Sequence, residues 1–550
     1  MGPPPSSRSH EGTFKAGRAV PDPDGQSVMT MGRALSAVAG WKGEDIAITT
    51  TGPQLPMSHV SFRELEQRSD RMARAYASFK VEGNDFVAIM LPTGVEFVVV
   101  SFACWKLGAT PSNVGSRLTF REREEIVRLA TPSLVAGVPS FKDPQMRIHE
   151  GTRCLPEGFE PGPDMLAEPL PDRVASSWLV ATSGGSTGRP KLIALAEPSL
   201  VTMRDLSDCG KPVMLGGFST LGGGVAEGVD LVPAPLSHNA PFHCAMHGVL
   251  SASHQVLLTK FDAERALQLV EECRCTFAYL VPTMMKRIWD LPIRVREKYN
   301  VSSLHGVFHM AAPCPRWLKE VWCHWLGPEI IWELYGPTEA IAWTLINGVE
   351  WMSRPKLDGL NLVGKAKVGE LRILHPETRA ELPPRNMGEV WMRHHERRIT
   401  YCYYGATSVR DADGWETVGD MGAIDEDGYL HLGDRRKDMV LVGGANIYPA
   451  EIEAVLEEHP AVKSAVVVGL PDADLGQALH GVLFTGGDTA TSEELQLFLK
   501  ERLESKKVPR QFTWAEDHLR GDDGKCRRAE VASWVLSRIE AHKVPPTSKL

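Results

Sequence analysis

"TSGGSTGRPKL", Thr182–Leu192, crowds four hydroxyl side chains, three glycines and two cations into eleven residues. Glycine lets a backbone approach a ligand closely, and successive N–H groups in such a turn form a cradle for anions. A phosphate is the guest this composition suits. The common phosphate loop, however, reads G-x-x-x-x-G-K-S/T. Here Arg189 stands five beyond Gly184, and Lys191 follows Pro190. The stretch is either a loop for a different nucleotide chemistry or a solvated turn.

Its surroundings favour an α/β frame. "SSWLVA" before it reads as a strand, and open α/β sheets bind ligands at strand ends. Upstream, "VSFRELEQRSDRMARAYASF" sets Phe62, Leu65, Met72, Tyr76 and Phe79 on one helical face. "FVAIMLP" suits a buried strand, and "GVEFVVVSFACWKLGA" a buried helix interrupted by Lys106. "LTFREREEIVRLA" opens with a capping box, Thr119 with Glu122, and leads to the strand "SLVAGV". Downstream, "AERALQLVEECRCTFAYLVPTMMKRIW" reads helix, strand, helix. "LHGVFHMAAPCP" and "EIIWELYGPTEA" each read strand then turn. The rhythm predicts a large α/β domain with mostly parallel sheets.

From Lys365 to His431 short strands such as "GELRIL" and "GEVWMR" predict a small β-rich subdomain. After "GDRRKD" the pattern restarts. "NIYPAEIEAVLEEH" and "SEELQLFLKERLES" read as helices, "VKSAVVVGLP" and "HGVLFT" as strands, giving a small α+β unit. The expected division is a disordered arm over 1–27, a large domain over 28–434, a mobile C-terminal lid over 435–540 and a tail over 541–550.

The 550 residues imply more than one core. A net charge of -9 argues against a nucleic-acid binder. No apolar run is long enough for a membrane span, and the start lacks a signal segment. Ten cysteines without repeated spacing read as free thiols. The closing Ser548-Lys549-Leu550 matches a peroxisomal address. The expectation is a peroxisomal protein that meets an import receptor through this tripeptide.

Five segments then appear in one order: "ATSGGSTGRPK", "ELYGPTEA", "WETVGDMGAIDEDGYLHLGDRRKD", "GGANIYPAEIE" and "DDGKCRRAE". Together they resemble the adenylate-forming superfamily of acyl-CoA synthetases, nonribosomal adenylation domains and beetle luciferases. "PLSHNAPF", "YLVPTMMKRIW" and "HMAAPCPRWLKEVW" further resemble the branch of fatty-acyl and bile-acid CoA ligases. The resemblance spans about Met31 to Leu536. It implies an ATP- and Mg²⁺-dependent ligase that adenylates a carboxylic acid, releases pyrophosphate and passes the acyl group to CoA. An amine or other non-CoA acceptor is the alternative. A catalytically dead nucleotide-binding scaffold is a third reading, against which Glu339, Asp420 and Lys525 speak. No carrier-protein segment follows, which favours a free acceptor.

The resemblance also implies roles. Thr182, Ser183, Gly184, Gly185, Ser186, Thr187, Gly188 and Lys191 match the phosphate loop, whose donors face the departing pyrophosphate. Ala311, Ala312 and Pro313 match the turn beside adenine. Tyr335 and Gly336 match the adenine-stacking segment. Thr338 would donate to the α-phosphate, and Glu339 would offer Mg²⁺ the hard oxygen it favours. Asp420 and Arg435 match ribose contacts, although the family's Thr two before that Asp is Val418 here. Lys437 falls at the hinge about which the lid turns. Gly443 and Gly444 match the strip beside the pantetheine tunnel. Lys525 matches the lysine that faces the attacked phosphate. His238, Asn239, Phe242 and His309 are the candidates to line the acyl pocket, with Ser237 where the branch carries an aromatic. Taken alone, each is equally a surface turn, a solvated charge or a core histidine.

Overall fold

The computed structural model describes residues 26–53, 55–116, 118–138, 152–162, 164–184, 190–206, 211–214, 228–472 and 474–543. Two sheets with parallel centres frame the large domain. In the first, seven strands run in the order Tyr401–Tyr404, Pro190–Leu195, Val180–Gly184, Thr110–Asn113, Phe86–Ile89, Leu134–Val138, Arg153–Pro156. The last five are parallel, and the first two are added antiparallel. In the second sheet Ile46–Gly52, His254–Leu258, Val229–Val232, Phe277–Leu280, Gly306–His309 and Ile331–Tyr335 form a parallel centre. Short apolar runs buried on both faces make such strands.

The helices follow their local signals. Phe62–Ser78 starts at Ser61, whose hydroxyl accepts from the Glu64 N–H, and buries Phe62, Leu65, Met72 and Tyr76. Phe79 caps the helix and is only partly buried. The capping box of Thr119 and Glu122 is complete. Val95–Lys106 is buried on almost every side, down to its final Lys106. That ammonium is matched by Asp70 at 2.5 Å and Glu66 at 2.8 Å, as a buried charge requires. Burial pushes the Asp70 carboxyl up to about 6 against the pull of Lys106.

The β-rich stretch after Lys365 is present, but it is no separate layer. Asn361–Val368 pairs with Trp343–Asn347 on one side and Leu430–Arg435 on the other, so these strands extend the second sheet antiparallel. Tyr401–Tyr404 leaves them and crosses to the first sheet. Gln26 and Ser27, expected in the arm, belong to a strand paired with Leu200–Leu206. "SSWLVA" forms its strand later than expected, over Val180–Gly184. Asn446 and Ile447, expected in a helix, pair in a hairpin; the helix Pro449–Leu456 begins at the proline, whose fixed φ suits a first turn.

A five-stranded sheet with the helices Pro449–Leu456, Ser492–Lys500 and Arg528–Lys543 builds the C-terminal unit. Its core runs from Val440 to Phe512, while the main core of the large domain ends at Leu430. Among the described residues no helix is long and apolar enough to cross a membrane.

Candidate active site

The first-sheet strand Val180–Gly184 and the second-sheet strands Gly306–His309 and Ile331–Tyr335 carry the quoted motifs at their carboxyl ends. This is where open sheets leave room for ligands. The two ends of "TSGGSTGRPKL" pair antiparallel: Thr182 with Leu192 and Gly184 with Pro190. Gly185, Ser186, Thr187 and Gly188 lie outside the described residues. Thr182 spends its hydroxyl on the Asn113 carbonyl at 2.7 Å. It thus ties the loop to the neighbouring strand and is not a free phosphate donor in this conformation. Ser183 and Gly184 are the last residues of the strand.

Lys191 lies just past the loop and donates to Glu339 Oε1 at 3.1 Å and to the Tyr403 hydroxyl at 2.8 Å. Tyr403 donates to the same carboxylate oxygen. Among the described residues Oε2 of Glu339 takes no donor. One hard carboxylate oxygen beside a phosphate loop fits Mg²⁺, which takes one or two carboxylates plus phosphates and water. Thr338 is half-buried, and its hydroxyl has no partner among the described residues.

Tyr335, Asp420 and Arg435 form the second group. The Tyr335 hydroxyl donates to Asp420 Oδ2 at 2.6 Å, and Arg435 Nε reaches Oδ1 at 3.0 Å. Asp420 and Arg435 are cross-strand partners. Burial first, then Asp420, pushes the Tyr335 phenol well up, so it remains a donor. Val418 packs against the core as an apolar side chain. Gly336 is exposed between this group and Glu339, and beyond the Gly306–His309 strand Ala311 takes φ +75°. Such a backbone is uncommon for a residue with a Cβ and clusters at functional turns.

The C-terminal loop docks onto that turn. Gly524 has φ +74°, and a Cβ there would stand 3.3 Å from that of Ala312. Glycine answers both demands. Pro313, next in the turn, is exposed. Arg287 holds the loop through Asp522 at 3.1 Å and the Arg520 carbonyl at 3.3 Å. Arg527 reaches Glu122 at 2.6 Å. Lys525 thereby faces the large domain. Lys525 itself remains exposed to solvent in the cleft. Desolvation by the neighbouring protein lowers its ammonium pKa, opposed by Asp523 and Glu339 and helped by Arg435.

The acyl-pocket candidates divide. His238 precedes the helix Asn239–Leu250 and stands 3.7 Å from Asp523, beside Lys525. Burial lowers its pKa, Asp523 opposing and Lys525 assisting. Asn239 is occupied by His243 at 3.2 Å. Phe242 and His309 both have no exposed surface. Phe242 packs in the core with Trp178, Trp105 and Phe97. His309 sits behind the Ala311 turn, 3.9 Å from Glu333, which pairs with buried Lys319. Burial and then Lys319 hold the imidazole neutral.

Lys437 occupies a short 3-10 turn, Arg436–Asp438, between the two cores. Burial lowers its pKa; Arg435 and Lys191 add to the effect, and Asp438 opposes it. Gly443 and Gly444 have φ +55° and +83° and connect paired Val442 and Ala445. A two-residue hairpin turn alone explains both glycines. Sequence reasoning missed Tyr403, Arg287 and Asp522. "YCYYG" is rich in strand-favouring tyrosine, but nothing in it names the partner strand.

Comparison with known proteins gives the family. The AMP-binding enzyme family matches residues 37–404, and the AMP-binding enzyme C-terminal domain matches 451–525. A fatty acid–acyl-carrier-protein ligase of Streptomyces coeruleorubidus is 29% identical, over 86% of this chain and 91% of its own. A feruloyl-CoA synthase of Amycolatopsis sp. is 28% identical, over 86% and 93%. The solved amide bond synthetase of Marinactinospora thermotolerans superposes with TM-score 0.73 at 24% identity, covering 92% of this chain and 99% of its own; that likeness speaks for the fold alone. With a family model over most of its length and CoA ligases among its relatives, the chain belongs to the AMP-binding, adenylate-forming enzymes.

Proposed function

We propose that the chain is an AMP-forming acid–thiol ligase with CoA as the acceptor. The observation that carries this reading is the docking of the Lys525 loop on Ala312, which turns its ammonium toward Glu339 and Arg435. In the first half-reaction a carboxylate oxygen bonds to the α-phosphorus of ATP and pyrophosphate leaves. Lys525 and Lys191 stabilise the charge that builds on phosphate oxygens. Asp420 and Arg435 hold the ribose, and Tyr335, oriented by its bond to Asp420, backs the adenine. Glu339 would hold Mg²⁺, which supplies further neutralisation of the phosphates. In the second half-reaction the CoA sulfur bonds to the acyl carbon, AMP leaves and the thiol proton passes to solvent. A thiol with pKa near 8.5 needs placement more than activation. The lid turns about Lys437 between the steps, and Gly443 and Gly444 then border the thiol arm.

Relatives named as a feruloyl-CoA synthase and an acyl-carrier-protein ligase support a thiol acceptor. The test is pyrophosphate release across a panel of carboxylic acids, followed by AMP release with CoA, with an amine and with an acyl carrier protein. CoA-dependent AMP release is expected; release driven by the amine alone would replace this reading with the amide-forming one.

We propose also that Ser548-Lys549-Leu550, which lie outside the described residues, act as a peroxisomal address where they form the free carboxyl terminus. A tagged chain should reach peroxisomes and its truncation at Thr547 should not.

A further inference from the structure

The strand Tyr401–Tyr404 pairs antiparallel with Pro190–Leu195, setting Tyr403 opposite Ile193. Tyr403 thereby meets Lys191, 212 positions away, and Glu339, 64 positions away. Its hydroxyl accepts from the Lys191 ammonium at 2.8 Å and donates to Glu339 Oε1. The same ammonium stands 3.9 Å from the centre of the Tyr403 ring. Burial, then the Glu339 charge, keeps the phenol protonated. Tyr401 braces the ring at 4.6 Å and is itself fixed on Glu416 at 2.7 Å. Thr400 donates to the Glu339 carbonyl at 2.7 Å, so one strand grips both the main chain and the side chain of Glu339.

These contacts matter when phosphates arrive. Lys191 must then turn from Glu339 toward the anion. Glu339 is only 5% exposed, and an oxygen left there without a donor would be costly. Tyr403 remains on Oε1 and leaves Oε2 outward. Without the hydroxyl, Lys191 and Glu339 collapse into a plain ion pair and cancel each other. We propose that Tyr403 is a positioning residue of the adenylation centre, whose hydroxyl holds Glu339 so that Lys191 is freed for the phosphates and the second carboxylate oxygen for a divalent cation. This rests on the adenylation reading above.

Calorimetric titration of the full chain with ATP, with and without Mg²⁺, tests it without knowledge of the acid. Wild type should bind ATP more tightly with Mg²⁺; a wild type that binds none overturns the adenylation reading itself. Tyr403→Phe keeps the ring and the strand pairing. It should lose about tenfold of the Mg²⁺-dependent tightening, the size of one hydrogen bond to a charged group, while Mg²⁺-free binding should weaken by less, through Lys191 alone being drawn back to Glu339. Unchanged Mg²⁺ dependence, or equal losses with and without Mg²⁺, overturns the proposal. Lys191→Met gives an independent reading should Tyr403→Phe fail to fold. It should weaken ATP binding throughout yet keep the Mg²⁺ increment, because Tyr403 still holds Glu339. Loss of that increment also overturns the proposal.

Discussion

Tyr335 donates its hydroxyl to Oδ2 of Asp420 at 2.6 Å, locking an aromatic ring to a carboxylate 85 residues away. Arg435 occupies the other oxygen, so the carboxylate is oriented from both sides.

Asp420→Ala removes the acceptor of Tyr335 and the partner of Arg435. It should cost about 1–3 kcal/mol of stability, the range for hydrogen bonds to a charged group, and weaken ATP binding at least about tenfold. Tyr335→Phe keeps ring and carboxylate and should cost less on both counts. Nucleotide titration and thermal melting measure the two effects; wild-type ATP affinity in Asp420→Ala would remove the ribose role.

Lys525 should give the first half-reaction an alkaline limb. Desolvation lowers its pKa from the ordinary 10.5, against Asp523 and Glu339, so rising pH discharges the ammonium early. Adenylation should therefore fall at a pH below 10.5. Lys525→Arg stays charged and should lose that limb, although it is slower. Lys525→Ala should lower adenylation about 10²–10³-fold and spare thioester formation from a supplied acyl-adenylate. Pyrophosphate release against pH, compared with single-step thioester formation, checks this; an unchanged limb in Lys525→Arg would place the titration elsewhere.

Arg287 belongs to the large domain and its partners Asp522 and Arg520 to the small C-terminal domain. Arg287→Ala should undock the Lys525 loop. The expected loss is about tenfold in adenylation, near the 1 kcal/mol upper range for a partly exposed ion pair plus one hydrogen bond. Thioester formation from supplied adenylate should not change, because the docked pose serves the first step. Equal slowing of both half-reactions would mean a general loss of structure.

Asp434 links the large domain to the small C-terminal domain by accepting the Ala450 N–H at 2.6 Å. Burial pushes its carboxyl up from 3.8 to about 6; Arg528 and the Ala450 N–H oppose this, while Glu453 and Asp438 add to it. A raised carboxyl binds its proton more tightly folded than unfolded. Its stabilising share is thus full below pH 3.8 and is lost as pH rises through about 6. Asp434→Asn still accepts the N–H and should flatten the stability profile over this window. At neutral pH it should be more stable by up to about 3 kcal/mol, the equivalent of about two pKa units. Denaturant unfolding at a series of pH values measures it, and parallel profiles for the two proteins would dismiss the assignment.

Much of the fold was legible because its signals are local. The Thr119–Glu122 capping box and the helical stripe of Phe62, Leu65 and Tyr76 each act within a few residues. The apolar runs of both parallel centres need no partner to be recognised. The five ordered motifs likewise named Glu339, Asp420 and Lys525 before any geometry was known.

Tertiary structure alone decided what those residues touch. Nothing local to "YCYYG" says that it crosses to Pro190–Leu195, since edge pairing depends on which hydrogen-bonding edge is left open. That pairing put Tyr403 between Lys191 and Glu339. A sequence position carries no depth either: packing left Phe242 and His309 without exposed surface. The dock of Arg287 on Asp522 spans 235 positions. Such a contact forms only when two separately built domains meet, and no short-range pattern encodes it.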